Sequence, residues 1–326
     1  MQKIYIIIVN YHGGADTLEC LESLLKSSYE NFQVFVADNS GKNDDFEQFR
    51  LWSKNIPSIA FFTEKEFNGL PSSLSQKIIF IKAEKNNGFA AANNITLKYL
   101  QKQSDFVYLW LLNNDTVVPA DFLEKILEKL KTTGEKYGIF GNALCYYDNP
   151  QILQCAGIRC SKWLAHTFPV YENTEYAQVF SLLKDKPLHG LSPVGASMFI
   201  KKECFEDVGL LAEDYFLYFE EWDYTIRAEK KNWKSLIFGD VFIYHKFAMS
   251  IDKGNKKGAD KTLFSDYYLT KNKKVFANKN LKYYYLPTVY LSYIPIILNR
   301  IKRRQWSRVV MVVRIILGLK ANLNEK

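Results

Sequence analysis

The chain has 326 residues, enough for a large core and for one large or two small domains. Hydrophobic residues at 48% and aromatics at 15% exclude a disordered or low-complexity chain. The net charge of +8 hides an asymmetry, since residues 251–326 hold 17 Lys plus Arg against four Asp plus Glu, a net of +13, which leaves −5 for residues 1–250. An acidic body with a basic tail argues against a nucleic-acid groove across the fold and for a basic appendage with its own partner.

Met1-Gln2-Lys3 runs directly into an apolar strand at 4–9, a lead too short for a signal peptide. A helix follows at 17–27 with Leu18, Leu21, Leu24 and Leu25 on one face, then a strand at 32–37 ending in Asp38-Asn39-Ser40-Gly41. A variable polar stretch closes with Ser-rich residues 64–76, which read as a surface insertion. Residues 78–82 form the third strand, 90–101 a helix and 106–112 the fourth strand, followed by an amphipathic helix at 121–131. Strands alternating with helices predict a doubly wound, mostly parallel sheet. In the second half, 137–145, 158–162, 193–201 and 236–245 read as strands, 202–208 as a helix start and 220–231 as a helix. Residues 171–188 carry no clear pattern and are expected to be mobile. From 262 onward the pattern is mostly helical. The five cysteines (Cys20, Cys145, Cys155, Cys160, Cys204) have neither zinc-site spacing nor an even count, so a reducing cytoplasm is the expected compartment.

Four loops at strand ends carry polar residues: Asn10-Tyr11, Asp38-Asn39-Ser40, Asn86-Asn87-Gly88-Phe89 and Asn113-Asn114-Asp115. In an open parallel sheet these ends share one side, where ligands bind. Asp38 can accept a hydrogen bond from a pyrimidine ring N–H, and Tyr11 or Phe89 can pack on base or sugar. Gly88 permits close backbone approach. Asp115 suits a divalent metal carrying a diphosphate, which needs hard oxygen ligands, although Asn and Asp also serve as turn and cap residues. Further on, Glu220, Glu221 and Asp223 stand beside an aromatic run at 216–219. Asp223 and Arg227 are four apart on a helix and can pair. Glu220 and Glu221 then face the cleft at the positive helix end, where a carboxylate can act as general base. Gly195 and Ala196 offer small residues where a sugar must pass, and His245 is a competent manganese ligand beside Asp115.

Together these residues resemble glycosyltransferase family two, in particular its rhamnosyltransferase-like bacterial members. The resemblance runs from about Lys3 to Asn272. It is carried by Ile8-Val9-Asn10-Tyr11, Asp38-Asn39-Ser40, Asn87-Gly88-Phe89-Ala90, Asn113-Asn114-Asp115-Thr116, Gly195-Ala196, Val208-Gly209, the block 216–227, His245, Ser250, Tyr267-Tyr268 and Lys271-Asn272. It implies a GT-A fold, a doubly wound mostly parallel sheet with a helical C-terminal extension, and inverting transfer from a nucleoside-diphosphate sugar. By position, donor contacts fall to Asn10, Tyr11, Asp38, Asn39, Asn87, Gly88, Asn113, Asn114, Gly195 and Ala196. Metal ligation (Mn2+ or Mg2+) falls to Asp115 and His245. Glu221 stands at the general base, with Glu220 and Asp223 as alternatives, because the family usually has Asp where this chain has Glu221. Asn113 replaces the first Asp of the family's DXD-type motif.

The expected organisation is a catalytic domain at 1–260, with a nucleotide half at 1–135 and an acceptor half at 136–260, and a basic, apolar tail at 261–326. Residues 283–299 lack charge but contain Pro287 and Pro295. They precede Arg300, Lys302, Arg303, Arg304 and Arg308, and then apolar residues 309–319 around Arg314. That alternation reads as a helix pair on an anionic membrane surface, with a dimer interface as the alternative. The expected setting is peripheral, on the inner face of the cytoplasmic membrane, with a glycan or lipid-linked acceptor. A sugar-nucleotide nucleotidyltransferase is disfavoured because residues 10–16 lack a cation for triphosphate. A non-catalytic membrane scaffold is disfavoured because the carboxylates are all present. A dehydrogenase is disfavoured because no GxGxxG follows the first strand.

Overall fold

A strand that is apolar on both faces over most of its length must be covered on both sides, and that rule builds the centre of the molecule. In the computed structural model, which describes residues 2–41, 44–70, 74–246 and 262–321, every residue of the strands Ile4–Asn10 and Phe32–Asp38 is buried. Alternate residues feed two cores. Ile4, Ile6, Ile8 and Trp110 join one with Phe122 and Phe199, while Tyr5, Ile7, Leu109 and Leu111 join the other with Met198 and Tyr224. Trp110 stacks on Phe199 at 4.6 Å and on Phe122 at 5.2 Å, and its Nε1–H reaches Ser197 Oγ at 2.9 Å, so the indole's polar atom is satisfied inside the core.

Five strands run parallel in the order Tyr108–Asn113, Ile4–Asn10, Phe32–Asp38, Ile78–Lys82, Ile59–Thr63. Beyond Tyr108–Asn113 the sheet continues with Ser197–Lys201, antiparallel, and Tyr137–Tyr146. The long strand Lys234–His245 pairs with Tyr137–Tyr146 in parallel, and its end turns onto the short strand Thr116–Val117, setting His245 opposite Thr116. This last pairing draws the two halves of the chain together at one sheet end.

Three expectations change. Residues 64–76 are not a plain insertion: Glu64–Asn68 is a helix closed by a capping box between Thr63 and Glu66, and Phe67 is buried against Phe35 and Tyr99. Before it, the helix Asp44–Ser53 and the strand Ile59–Thr63 fill what read as a polar stretch. Residues 171–188, where no pattern was legible, hold the helix Tyr176–Leu183, whose Leu183 is buried and would clash with any side chain at Gly239. The expected domain boundary at 260/261 and Ser250 lie outside the described residues.

The C-terminal helices are packed onto the body. Trp222 stacks on Phe276 of the helix Leu263–Asn280 at 4.0 Å. Val289, Tyr293, Met311, Val312 and Ile315 from the following helices fill the same cluster. Arg300 and Arg308 both meet the buried Asp266, so two of the tail's basic residues serve packing. Among the described residues no helix is long and apolar enough to cross a membrane.

Because Phe67 belongs to the core, Phe67→Ala should lower the unfolding free energy in urea by about 3 kcal/mol. A loss within about 0.5 kcal/mol, the usual effect of a surface change, would restore the insertion reading.

Candidate active site

Asn10, the last residue of the first strand, is fully buried and ties the loops around it. Its amide donates to Asp38 Oδ1 at 2.8 Å and to Asp45 Oδ2 at 2.9 Å, and its Oδ1 accepts from Thr17 Oγ1 at 2.8 Å. Asn114 donates to the same Thr17 hydroxyl at 3.0 Å, so the loops after the first and fourth strands share one anchor. Asp38 Oδ1 also accepts from Ser40 Oγ at 2.7 Å, whereas its Oδ2 is buried with no hydrogen-bond partner. Burial pushes the Asp38 carboxyl up, against the hydrogen bonds from Ser40 and Asn10 that hold it down. A buried acceptor left without a donor is costly, and a ligand N–H would relieve that cost.

Asn39 Nδ2 donates to Asn86 Oδ1 at 2.8 Å, and Gly88 N donates to the same oxygen at 2.9 Å, joining the second and third loops. Gly88 has φ 93°, and a Cβ there would lie 2.3 Å from the Phe216 carbonyl oxygen. The Phe89 amide donates to that oxygen at 2.8 Å. In the structure, Gly88 serves close approach to this chain's own backbone at Phe216. Tyr11 and Asn87 are exposed, and Asn113 is half-buried.

Asp115 and His245 meet at the sheet end. Asp115 Oδ1 lies 3.1 Å from His245 Nε2, both side chains are buried, and the contact lacks hydrogen-bond alignment. His245 Nδ1 lies 2.7 Å from Gln154 Oε1, an acceptor that holds the ring so that Nε2 is the atom facing the carboxylate. Burial opposes the Asp115 charge, yet attraction to His245 outweighs it and holds the carboxyl below its ordinary range. A carboxylate oxygen and an imidazole nitrogen converging in a buried spot fit a divalent cation, which would bind the ring in its neutral form. Among the described residues no third His, Cys, Asp or Glu joins them, so any remaining ligands would be water or ligand oxygens. Next door, Lys246 donates to Asp16 at 2.7 Å and Glu19 at 2.5 Å. Burial disfavours its charge, but those two carboxylates push the ammonium up to about 12.

The helix Glu220–Lys230 carries the acids. Asp223 is wholly buried and engaged by Arg227 Nε at 2.7 Å, Asn280 Nδ2 at 2.7 Å and the Tyr215 hydroxyl at 3.2 Å, which makes it an anchor. Glu220 is buried with Oε2 unpartnered; burial, then repulsion from Glu221, drive its carboxyl well above the ordinary range. Glu221 keeps some exposed surface, and burial raises it too. A Cβ built on Gly195 would lie 3.6 Å from the Glu221 carboxyl carbon. The neighbouring Ala196 carbonyl accepts from Asn113 N at 3.0 Å, so the acid and the Asn113-Asn114-Asp115 turn flank the same two small residues.

Sequence reasoning missed Gln154, whose four-residue strand Ile152–Cys155 was not read, and Lys246, which follows His245 directly. It also missed Asn280, because no local pattern marks a contact 57 residues away.

The family model for glycosyl transferase family 2 matches residues 5–178. The low-salt glycan biosynthesis hexosyltransferase Agl10 of Haloferax volcanii is 24% identical over 71% of this chain, which spans 63% of that protein's length. The dTDP-rhamnosyl transferase RfbF of Shigella flexneri is 21% identical over 74% of this chain and 69% of its own. Among solved structures, GalNAc-T7 with UDP, GalNAc and Mn2+ superposes with a TM-score of 0.57 at 15% identity, covering 83% of this chain and 50% of that one. The fold is that of the GT-A glycosyltransferases. With its family model matched over more than half its length, the chain belongs to glycosyl transferase family 2.

Proposed function

We propose that this chain is an inverting glycosyltransferase that moves a hexose-class sugar, rhamnose or a similar one, from a nucleoside diphosphate to a hydroxyl of a glycan or lipid-linked acceptor in cell-surface polysaccharide synthesis. The observation that carries the reading is the Glu221 carboxyl beside Gly195, one residue from the Ala196 carbonyl that holds the Asn113-Asn114-Asp115 turn. Family membership and the hexosyl and rhamnosyl names of the relatives support the sugar class.

In this reading the open Asp38 oxygen accepts the base N–H of the donor, with Tyr11, Asn39, Asn87 and Gly88 around the nucleoside. Asn10 and Asn114 hold those loops in register, and Gly195 and Ala196 leave room for the sugar. Asp115 and His245 hold Mn2+ or Mg2+, which when bound offsets charge on the leaving diphosphate. Glu221 takes the proton from the acceptor hydroxyl as that oxygen bonds to the anomeric carbon and the bond to the diphosphate breaks on the opposite face. Burial raises its carboxyl, which makes it the stronger base when ionised. Because the base must be ionised, turnover should fall as pH drops through the raised Glu221 value.

We further propose that the tail rests on an anionic membrane surface. Trp306 (61% exposed), Leu317 (66%), Leu291, Leu298 and Val310 project from the last helices beside exposed Lys302, Arg303 and Arg304.

Release of nucleoside diphosphate from a panel of dTDP-, UDP- and GDP-sugars with Mn2+, with and without chelator, tests the chemistry. Asp115→Asn should remove Mn2+-dependent donor binding by calorimetry, whereas Glu221→Gln should keep binding and lose about 10²- to 10⁴-fold in turnover. Binding of no sugar nucleotide at all, or full turnover in Glu221→Gln, would refute the assignment. The tail is tested by point changes, because residues 286–316 also fill the core. Leu298→Gln with Leu317→Gln should weaken sedimentation with phosphatidylglycerol vesicles by about tenfold or more. Unchanged vesicle binding, or a dimer in equilibrium sedimentation that these changes dissociate, would assign the face elsewhere.

A further inference from the structure

Two consecutive residues without glycine's freedom, Tyr218 at φ 71° and Phe219 at φ 79°, adopt the left-handed conformation directly before Glu220. Each such residue costs roughly 1–2 kcal/mol, and the conformation persists only where the surroundings impose it. The helix Leu263–Asn280 supplies that constraint from a single face. Ser265, Tyr268, Asn272, Phe276 and Asn280 follow one another at steps of three or four residues, so they line one stripe. Each touches the acid-bearing segment. Ser265 Oγ accepts from the Tyr218 hydroxyl at 3.2 Å, and Tyr268 stacks on Phe216 at 4.9 Å. Phe276 packs on Phe219 and Trp222, and Asn280 donates to Asp223.

Asn272 sits at the centre. It is fully buried, and its Nδ2 donates to the Leu217 carbonyl at 2.7 Å and the Tyr218 carbonyl at 3.0 Å. Both partners are acceptors, so the amide orientation is fixed and both of its hydrogens are used. Its Oδ1 is buried without a partner, a cost the fold bears to keep the clamp.

We propose that Asn272 is a positioning residue for transfer: by clamping the two carbonyls that enter the left-handed turn, it fixes where the helix Glu220–Lys230 begins and so where the Glu221 carboxyl stands over Gly195. The role rests on Glu221 acting as the base. Among the described residues the Asn272 side chain makes no hydrogen bond to the strand-end loops at 10–11, 38–40, 86–89 or 113–115, so its loss should lower kcat and leave donor binding intact.

The test uses the full-length chain and the sugar nucleotide turned over fastest in a panel of dTDP-, UDP- and GDP-sugars with Mn2+. Asn272→Ala should lower kcat by about ten- to a hundredfold, the cost of an ångström-scale misplacement. The donor KM, and the calorimetric affinity for that donor's nucleoside diphosphate with Mn2+, should stay within about threefold, the signature of an interaction needed only for the chemical step. Amide hydrogen exchange across 216–223 should quicken while the central strands stay protected. The double variant Asn272→Ala with Tyr218→Gly should recover at least about tenfold in kcat, because glycine adopts the left-handed turn unaided. A purely structural role would instead be worsened by the second change. Should Asn272→Ala fail to fold, Asn272→Ser, which keeps one donor, takes its place with the same expectations. Unchanged kcat, unchanged exchange at 216–223, or no recovery in the double variant would overturn the proposal. A wild-type chain that turns over no sugar nucleotide would defeat the transferase reading itself, an outcome separable from a defect confined to the variants.

Discussion

The hydrogen bond from the Phe89 amide to the Phe216 carbonyl is the contact on which the cleft depends. It joins a loop of the nucleotide half to the segment that leads into the acid helix, at 2.8 Å and with Gly88 pressed against the same backbone. Nothing larger than hydrogen fits at Gly88, because its side chain would occupy the Phe216 carbonyl. The glycine is thus required by closure between two parts of the chain. On one side of this contact stand Asn39 and Asn86, which hold the third loop; on the other stand Tyr218 and Phe219 in their left-handed turn. The site is the seam between them.

Electrostatics explain why the seam is built from acceptors. Asp38, Asp115, Glu220 and Glu221 are wholly or partly withdrawn from water, and each meets that cost differently. Asp38 satisfies one oxygen from Ser40 and Asn10 and leaves the other open. Asp115 is steadied by His245. Among the described residues no cation pairs with the Glu220 or Glu221 carboxyl, and both respond by holding protons more tightly. Two cations near the site are already committed, Lys246 to Asp16 and Glu19 and Arg227 to Asp223. On the proposed reading, a metal-bound nucleotide would meet the residual demand for positive charge and N–H donors.

The parallel sheet and its strand-end loops were legible because the signals are local. Apolar runs such as 106–112 end in Asn/Asp turns, and a doubly wound sheet brings those ends together whatever the details. The Asp223–Arg227 pair was legible for the same reason, as a four-residue helical spacing. What escaped is long-range or weakly patterned. Ile59–Thr63 is an edge strand with a partner on one side only, and its apolar run of four residues, Ile59 to Phe62, is too short for periodicity to separate strand from helix. Phe67 was hidden among the serines and charges of 64–76. The tail shows the limit most clearly, since Arg300 and Arg308 read as surface cations, yet both close on Asp266, 34 and 42 residues earlier.

That pairing also alters how the tail relates to the chemistry. Asp266 and Asn272 belong to one helix, the first facing Arg300 and Arg308 and the second facing the acid turn. Tyr293 lies between these regions: its hydroxyl donates to the Thr270 carbonyl at 3.0 Å, and its ring covers the buried Lys273. Removing positive charge from water without an opposing carboxylate lowers Lys273 to about 8, so this packing carries a cost of its own. A helix that spends a buried lysine and an unpartnered amide oxygen on holding two neighbours is not a passive extension. Its outer face fixes where the exposed apolar helices sit, and its inner face fixes where the acid helix starts. On the proposed reading, the helix Leu263–Asn280 therefore links the tail's exposed surface, through Asp266, to the segment that carries Glu221, through Asn272.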